Sequence, residues 1–465
     1  MRYVQINAYS GAWAESIIFG KHRELQEQGH ESWVFWARGE HVQNEHMQKI
    51  ASYSEVCLDA LLTRIDGRAG FHSRGITRRL LNKLDEIDPD VVHLHVLLGY
   101  YINVDMLFEW LAAHRCKVVW TLHDCWAFTG HCIHFTYAKC DQWRTDGCAA
   151  CARCPQRREY PETYFGGDRS VRWSFEEKKR LFTLLPSERM RLITPSKWLA
   201  DLVKQSFLAK YDVEVVHNTV DVSAFKPTPS DFRERYGIGD RFMVLGVASK
   251  WSERKGLKDF IRLARELDSD RFAVVLVGLS KAQIKMVRRE IIALPRTEST
   301  AKLAEVYTAA NVFVHPGVKE TFGMTVAEAQ ACGTLVAVAQ GSACEEIADK
   351  DQMVTLRPDL SNLEATIVEL AGGGRVILLA RTESMHQLAS IYTSADVFFN
   401  PTQEDNFPTV NLESEGCGTA VITYDIGGCS ETIALRESCV AHSFDEALRL
   451  ICLQALANWH HQLIR

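Results

Sequence analysis

Lys250 and Lys255 lie five residues apart in SKWSERKGLKDF, with Arg254 between them, directly after the apolar run FMVLGVA. Cations gathered in the turn after a buried strand can hold a diphosphate through charge-assisted hydrogen bonds. A solvated basic loop has the same composition. A second constellation lies in HPGVKETFGMTVAEAQACGT. Its apolar run VFVHP ends at Pro316, a glycine-containing turn follows, and the spacing predicts a helix beginning near Gly323. The amides of Gly323, Met324 and Thr325 at such a helix start lack intrahelical acceptors and favour an anion. Glu320 precedes the helix and Glu328 lies inside it. Glu328 is placed to accept from hydroxyl groups such as those of a ribose, while Glu320 either meets the far end of the same ligand or simply favours the helix dipole.

His123 follows the apolar run KVVWTL. There it is either a satisfied core histidine or, at the C-terminal end of a parallel strand, a group facing a ligand crevice. In the second case its role is positioning or charge stabilisation. Of 14 cysteines, six crowd between Cys125 and Cys154. The overlapping spacing of CAACARC in a reduced compartment favours zinc over disulfides, with Cys132, Cys140, Cys148 and Cys151 or Cys154 as ligands and the His131 and His134 imidazoles as substitutes. Unligated thiols in a packed excursion are the other reading. Asp268 and Asp270 in DSD imitate an acidic metal motif but fall between a helix and a strand, where a solvated turn is expected.

The elements that must position these residues follow a regular rhythm. RYVQIN, VVHLHV, KVVWTLH, RLITPS and VEVVHN read as strands, and AESIIFGKHRELQEQG and KWLADLVKQSFLA have helical spacing. The alternation predicts an α/β fold of parallel sheets with helices on both faces. The rhythm breaks over residues 128–182, which read as a cysteine- and aromatic-rich excursion, and again over 217–232, where Pro227 and Pro229 mark a linker. One domain is therefore expected over residues 1–216 and another over 233–465. The second contains an internal repeat, 291–348 and 376–433. Counting from Arg296 and from Arg381, 40 positions align without a gap at an offset of 85, with 17 identities. The repeat supplies a second candidate set, Glu404, Asp405 and Glu413, with Pro408 in the place of Gly323. Proline suits a helix start but removes one amide. One open sheet offers one main crevice, so the first copy is favoured narrowly.

The net charge of −6 argues against a general nucleic-acid binder. No apolar run approaches the roughly 20 residues of a membrane span. The opening MRYVQINAYSG reads as a strand and turn rather than a leader. A cytoplasmic protein is expected, with room for peripheral contact at the inner face of the membrane.

The pair in ETFGMTVAE, the upstream KWSERKG, and the ordered segments DVVHLH, TLHD, TPSKWLADLVKQSF and HNTVDVSAFKP resemble the family-four retaining glycosyltransferases over nearly the whole chain. LHDCWAFTGHC and EDNFPTVNLE are similar to bacterial members that build exopolysaccharide, capsule or O-antigen. The resemblance implies two Rossmann-like domains facing a cleft, the GT-B architecture, with the duplicated βα segment in the C-terminal one. It implies an acceptor-side first domain, a second domain that binds a UDP- or GDP-sugar, and a glycan or lipid-linked acceptor. By the same resemblance Lys250 and Lys255 contact the diphosphate, Glu328 the ribose and Glu320 the donor sugar, with His123 near the reacting carbon. Lys250 stands where relatives carry arginine, which keeps the charge without the bidentate fork. Gly11 in SGAWAE lies where they carry paired glycines. Transfer would proceed with retention and without an obligatory metal. The contrasting expectation is an inactive relative serving as a partner subunit, its donor cleft disrupted by the duplication.

Overall fold

The computed structural model describes residues 1–11, 15–135, 138, 140–151, 154–249, 251–252, 255–287, 290–317, 320–372, 384–402 and 407–451. Its compact units are Met1–Arg375 and Val376–Arg465.

The first unit holds two parallel sheets. The first contains β1 (Arg2–Tyr9), β2 (Glu31–Arg38), β3 (Met47–Lys49), β4 (Val91–Leu94), β5 (Lys117–Thr121), β6 (Met190–Thr194) and β7 (Asp212–Val215), in the order β3-β2-β1-β4-β5-β6-β7. The second contains β8 (Phe242–Val247), β9 (Phe272–Val277), β10 (Ile292–Leu294), β11 (Val312–His315), β12 (Leu335–Ala339) and β13 (Met353–Leu356), in the order β10-β9-β8-β11-β12-β13. Strand order reverses between β1 and β4 and between β8 and β11, and the crevice at the carboxyl ends beside such a reversal is where doubly wound sheets take ligands. Burial explains the sequence pattern. Met243 and Leu245 enter one core with Val275 and Phe313, while Val244 enters another with Val274 and Val312. Both faces of the sheet are covered, so its strands are continuously apolar.

The excursion is shorter than expected. Residues 167–182 form a helix, Gly167–Phe182, burying Val171, Ser174, Phe175, Lys178, Leu181 and Phe182. Its period is helical, but Ser174 and Lys178 occupy inward positions and hide the apolar stripe. Lys178 is 0% exposed. Its Nζ donates to the Trp126 carbonyl at 2.8 Å and lies 4.1 Å from the Trp126 ring centroid. The expected linker is anchored, because Phe225 and Phe232 pack into the second domain's core.

The second copy of the repeat departs from the expected single domain over 233–465. Strands β14 (Phe398–Asn400), β15 (Val421–Tyr424) and β16 (Cys439–Ala441) form a sheet of their own in the second unit. The 85-residue offset persists in three dimensions. Helix Thr300–Ala309 matches Met385–Ser394, and helix Met324–Ala331 matches Thr409–Gly416. Each first helix is capped by serine, Ser299 accepting from the Lys302 amide and Ser384 from the Gln387 amide, both at 3.2 Å. The two copies differ in their described strand pairing. β11 is hydrogen-bonded to β8, whereas among the described residues β14 is the edge of its sheet.

Candidate functional site

The second domain's crevice is assembled from loops that only glycine permits. Gly256 has φ +80°, and a Cβ there would stand 2.3 Å from Cγ of Pro316, so the lysine loop rests on the end of β11. Gly323 has φ +95° and forms the N-cap of helix Met324–Ala331, with no side-chain cap. A Cβ at Gly323 would lie 2.6 Å from the Cys344 sulfur. Met324 and Thr325 therefore open the helix as expected, beside the β8–β11 reversal.

Lys255 and Glu320 are brought together as a hydrogen-bonded ion pair. Burial alone would raise the Glu320 carboxyl, but the Lys255 ammonium, with His315 and His134 nearby, brings it down to about 2. Glu328 lies in a different environment. Burial pushes its carboxyl up to about 7, opposed by the Tyr307 hydroxyl, which donates to Oε2 at 3.1 Å. The two carboxylates thus differ in protonation near neutral pH, Glu320 fully ionised and Glu328 poised. Lys250 and Arg254 lie outside the described residues, as do Glu404 and Asp405 of the second copy. Glu413 is described, in the second unit, and its charge acts on Tyr392 as Glu328 acts on Tyr307. Pro408 is the N-cap of helix Thr409–Gly416.

His123 stands just past β5. Its Nε2 is 3.4 Å from Nδ1 of His95, and His93 Nε2 is 2.8 Å from the Thr121 hydroxyl. Burial lowers His123 to about 4 and His93 to about 3, so this row of imidazoles is neutral at physiological pH. A neutral His123 can position a substrate group or donate a hydrogen bond without bringing charge. The His123 carbonyl accepts from Thr321 Oγ1 at 2.8 Å, and the Thr321 carbonyl accepts from Ser196 Oγ at 2.7 Å. The loop carrying Glu320 is thereby tied to both His123 and the first domain. Glu346 adds a further tie, its carboxylate accepting from the Lys197 amide at 2.7 Å and the Trp198 amide at 3.0 Å. These are orphan amides of a helix start, for which a carboxylate is a favourable partner. Sequence reasoning passed over Thr321, Glu346, His95 and Tyr307. The alternation of His93 and His95 in VVHLHV was the available signal for one of them.

In the excursion, Cys148 Sγ accepts from the Gly130 amide at 3.2 Å, and Cys151 Sγ donates to the Cys148 carbonyl at 3.6 Å. Burial and the neighbouring Cys154, Cys148 and Cys140 raise the Cys132 thiol. Among the described residues no group of three or more metal-capable side chains is arranged to hold an ion, while the thiols of Cys132, Cys140, Cys148, Cys151 and Cys154 lie near enough to act on one another. Cys148 and Cys151 are buried in the first domain's core, with Cys132, Cys140 and Cys154 packed against it. Asp268 accepts from the Asp270 amide at 3.0 Å within an exposed turn, as expected. Gly11 lies beside the Tyr9 ring, whose Cε1 would be 2.0 Å from a Cβ at that position.

Comparison with known proteins places this geometry in a family. The model of Glycosyltransferase Family 4 matches residues 14–224. That of Glycosyl transferases group 1 matches twice, at 230–358 and 353–460. Among curated relatives, a protein named as a colanic acid biosynthesis glycosyl transferase, WcaC, of Escherichia coli is 29% identical over 185 residues, 38% of this chain and 42% of that protein. An alpha-galactosylglucosyldiacylglycerol synthase of Streptococcus pneumoniae is 28% identical over 170 residues, 33% of this chain and 45% of that protein. The match thus spans less than half the length of each. Among solved structures, a sucrose-phosphate synthase from Thermosynechococcus elongatus has a TM-score of 0.54 at 12% identity, covering 79% of this chain and 89% of that one. HepE of Anabaena, in complex with UDP and glucose, has a TM-score of 0.50 at 14% identity, covering 78% and 88%. At such identities the likeness is one of fold, and the fold is the two-domain GT-B arrangement. With one family model on the first domain and another on both copies of the repeat, the chain belongs to the family-four, group 1 glycosyltransferases.

Proposed function

We propose that the chain transfers a sugar from a nucleoside diphosphate to a glycan or lipid-linked acceptor, with retention, at the cytoplasmic face in surface polysaccharide biosynthesis. The observation that carries this reading is the union, at the β8–β11 reversal, of Lys255, Glu320, the Gly323 helix start and the Glu328–Tyr307 pair. The negative charge that develops on the leaving diphosphate is met by Lys255, by Lys250 and by the amides of Gly323, Met324 and Thr325. Those groups supply the positive potential from the protein itself, so the reaction is assigned no metal. Glu328 accepts from the ribose hydroxyls, Glu320 faces the donor sugar, and neutral His123 positions the reacting end. The names of the relatives support sugar transfer onto a polysaccharide or a glycolipid, and HepE supports a UDP-type donor. Retention rests on the family resemblance. Among the described residues no helix is long and apolar enough to cross a membrane.

A panel of UDP-, GDP- and ADP-sugars with donor hydrolysis as readout tests the proposal. One donor is expected to be hydrolysed at a rate that rises when acceptor is added. Failure of every donor would favour the inactive partner subunit, a reading the duplication motivates.

Glu328 also gives the site a pH dependence. An ionised carboxylate is acceptor-only and suits ribose hydroxyls. With its carboxyl raised to about 7 by burial, the ionised fraction climbs from about one tenth at pH 6 to about nine tenths at pH 8. Nucleotide affinity measured by calorimetry should therefore rise roughly tenfold over that interval, and Glu328→Gln should flatten the profile. A flat wild-type profile would remove Glu328 from the ribose.

A further inference from the structure

The first domain has its own strand-order reversal, between β1 and β4, and the side chains beside it carry unused polar atoms. Arg38 ends β2. Its carbonyl accepts from the Ser10 amide at 2.9 Å, fixing it next to the end of β1. Its guanidinium makes no ion pair with any carboxylate among the described residues. Nη2 reaches the Tyr160 hydroxyl at 3.4 Å, Cζ lies 5.9 Å from the Tyr100 ring centroid, and Nε is buried without a hydrogen-bond partner. Tyr100 is only 5% exposed, and its hydroxyl is likewise buried and unpartnered. The adjacent Tyr101 shows the ordinary solution, donating to the Val96 carbonyl at 2.9 Å. Tyr100 is held at φ +62°, a conformation that non-glycine residues adopt at a cost and that tends to collect at functional sites. The Tyr100 and Tyr160 rings meet edge to face at 5.4 Å.

Three acids surround this group, and each is already engaged. Asp59 accepts from Ser73 and Thr63, Glu162 pairs with Arg64 at 3.0 Å, and Asp124 accepts from the Trp126 amide at 2.8 Å. Burial raises Asp59, and raises Asp124 to about 6, which weakens their opposition to an incoming anion. Burial also raises both phenols, keeping them protonated donors. Tyr9, 43% exposed at the end of β1, presents an aromatic face beside Gly39, the residue after Arg38.

We infer that Arg38, Tyr100 and Tyr160 form an anion subsite on the acceptor side of the crevice, with Tyr9 as a platform for the sugar ring, so that the acceptor is an acidic saccharide carrying a carboxylate or a phosphate. A guanidinium with an unpaired Nε and two phenol hydroxyls matches an oxyanion bearing several acceptor oxygens. Buried donors left unpaired are costly, and an anion satisfies them. The class of acceptor rests on the transferase reading, whereas the anion subsite itself does not.

The test uses the full chain saturated with UDP and three probes: methyl glucuronide, glucose 6-phosphate and methyl glucoside. Binding is followed by saturation-transfer NMR, and UDP affinity is measured separately. At least one anionic probe should bind tenfold or more tighter than the neutral glucoside, and which one does so separates carboxylate from phosphate. Arg38→Met should abolish that preference with UDP affinity unchanged, and Arg38→Lys should restore it in part. Tyr160→Phe should weaken it, and decides the matter if Arg38→Met does not fold. Equal binding of charged and neutral probes, binding of none, or a preference that survives Arg38→Met would overturn the subsite. Loss of UDP binding with the anion preference intact would sink the donor reading and leave the subsite standing.

Discussion

Glu328→Ala should abolish sugar transfer, while Glu413→Ala should leave it within about twofold of the parent chain. The two residues are equivalent by sequence, 85 positions apart in copies that keep the same helix, strand and tyrosine around them. The difference lies in what each copy is joined to. Glu328 belongs to the sheet in which β11 pairs with β8, and β8 delivers the lysine loop. KWSERKG occurs once in the sequence. Pro408 replaces Gly323 and takes an amide away from the second helix start. Hydrogen bonds to a charged group are worth about 1.5–3 kcal/mol each. Losing two of them at the ribose costs about 3–6 kcal/mol, or roughly two to four orders of magnitude in kcat/KM. Circular dichroism and melting of both variants control for folding. The reverse outcome would move the donor site to the second copy.

Lys255→Ala should lower kcat/KM by about 10²–10³, the usual penalty for removing one preorganised group that stabilises a developing negative charge. It should also invert a pH dependence of stability. In the parent chain Glu320 is depressed to about 2 from an ordinary 4.5. That depression contributes on the order of 3 kcal/mol of stability, present above pH 4.5 and lost as pH falls through about 2. Burial is already the largest single influence on Glu320, and with the ammonium and its hydrogen bond removed it is expected to outweigh the remaining pull of His315 and His134, so that the carboxyl rises above its ordinary value. The variant then keeps its full share of stability only at acid pH and loses it as pH rises through the raised value. Lys255→Ala/Glu320→Gln should recover stability at neutral pH without recovering activity. If Lys255→Ala retains transfer, the diphosphate is held elsewhere.

Much of the framework was legible because a parallel sheet covered on both faces must be written in continuous apolar runs, as in FMVLGV and FAVVLV. The Glu320 and Glu328 positions were legible from one glycine-started helix. Helix Gly167–Phe182 was not, because Lys178 turns inward and finds a carbonyl and an indole face rather than solvent. The independent sheet of the second copy was not legible either. Whether β14 joins a larger sheet depends on a neighbour strand, and its own sequence is much like that of β11. The ties through Thr321 and Glu346 connect residues more than a hundred positions apart and leave no local pattern. The unpaired atoms of Arg38 and Tyr100 are likewise a property of packing alone.

The measurement that bears most directly on the whole account is thermal unfolding of the full chain with UDP, GDP and ADP. One nucleotide at a hundredfold excess over its Kd should stabilise the domain that binds it by about 2.7 kcal/mol, and Glu328→Ala should remove the shift where Glu413→Ala does not. No stabilisation by any of the three, in a chain that melts cooperatively, would contradict a donor site at the β8–β11 reversal.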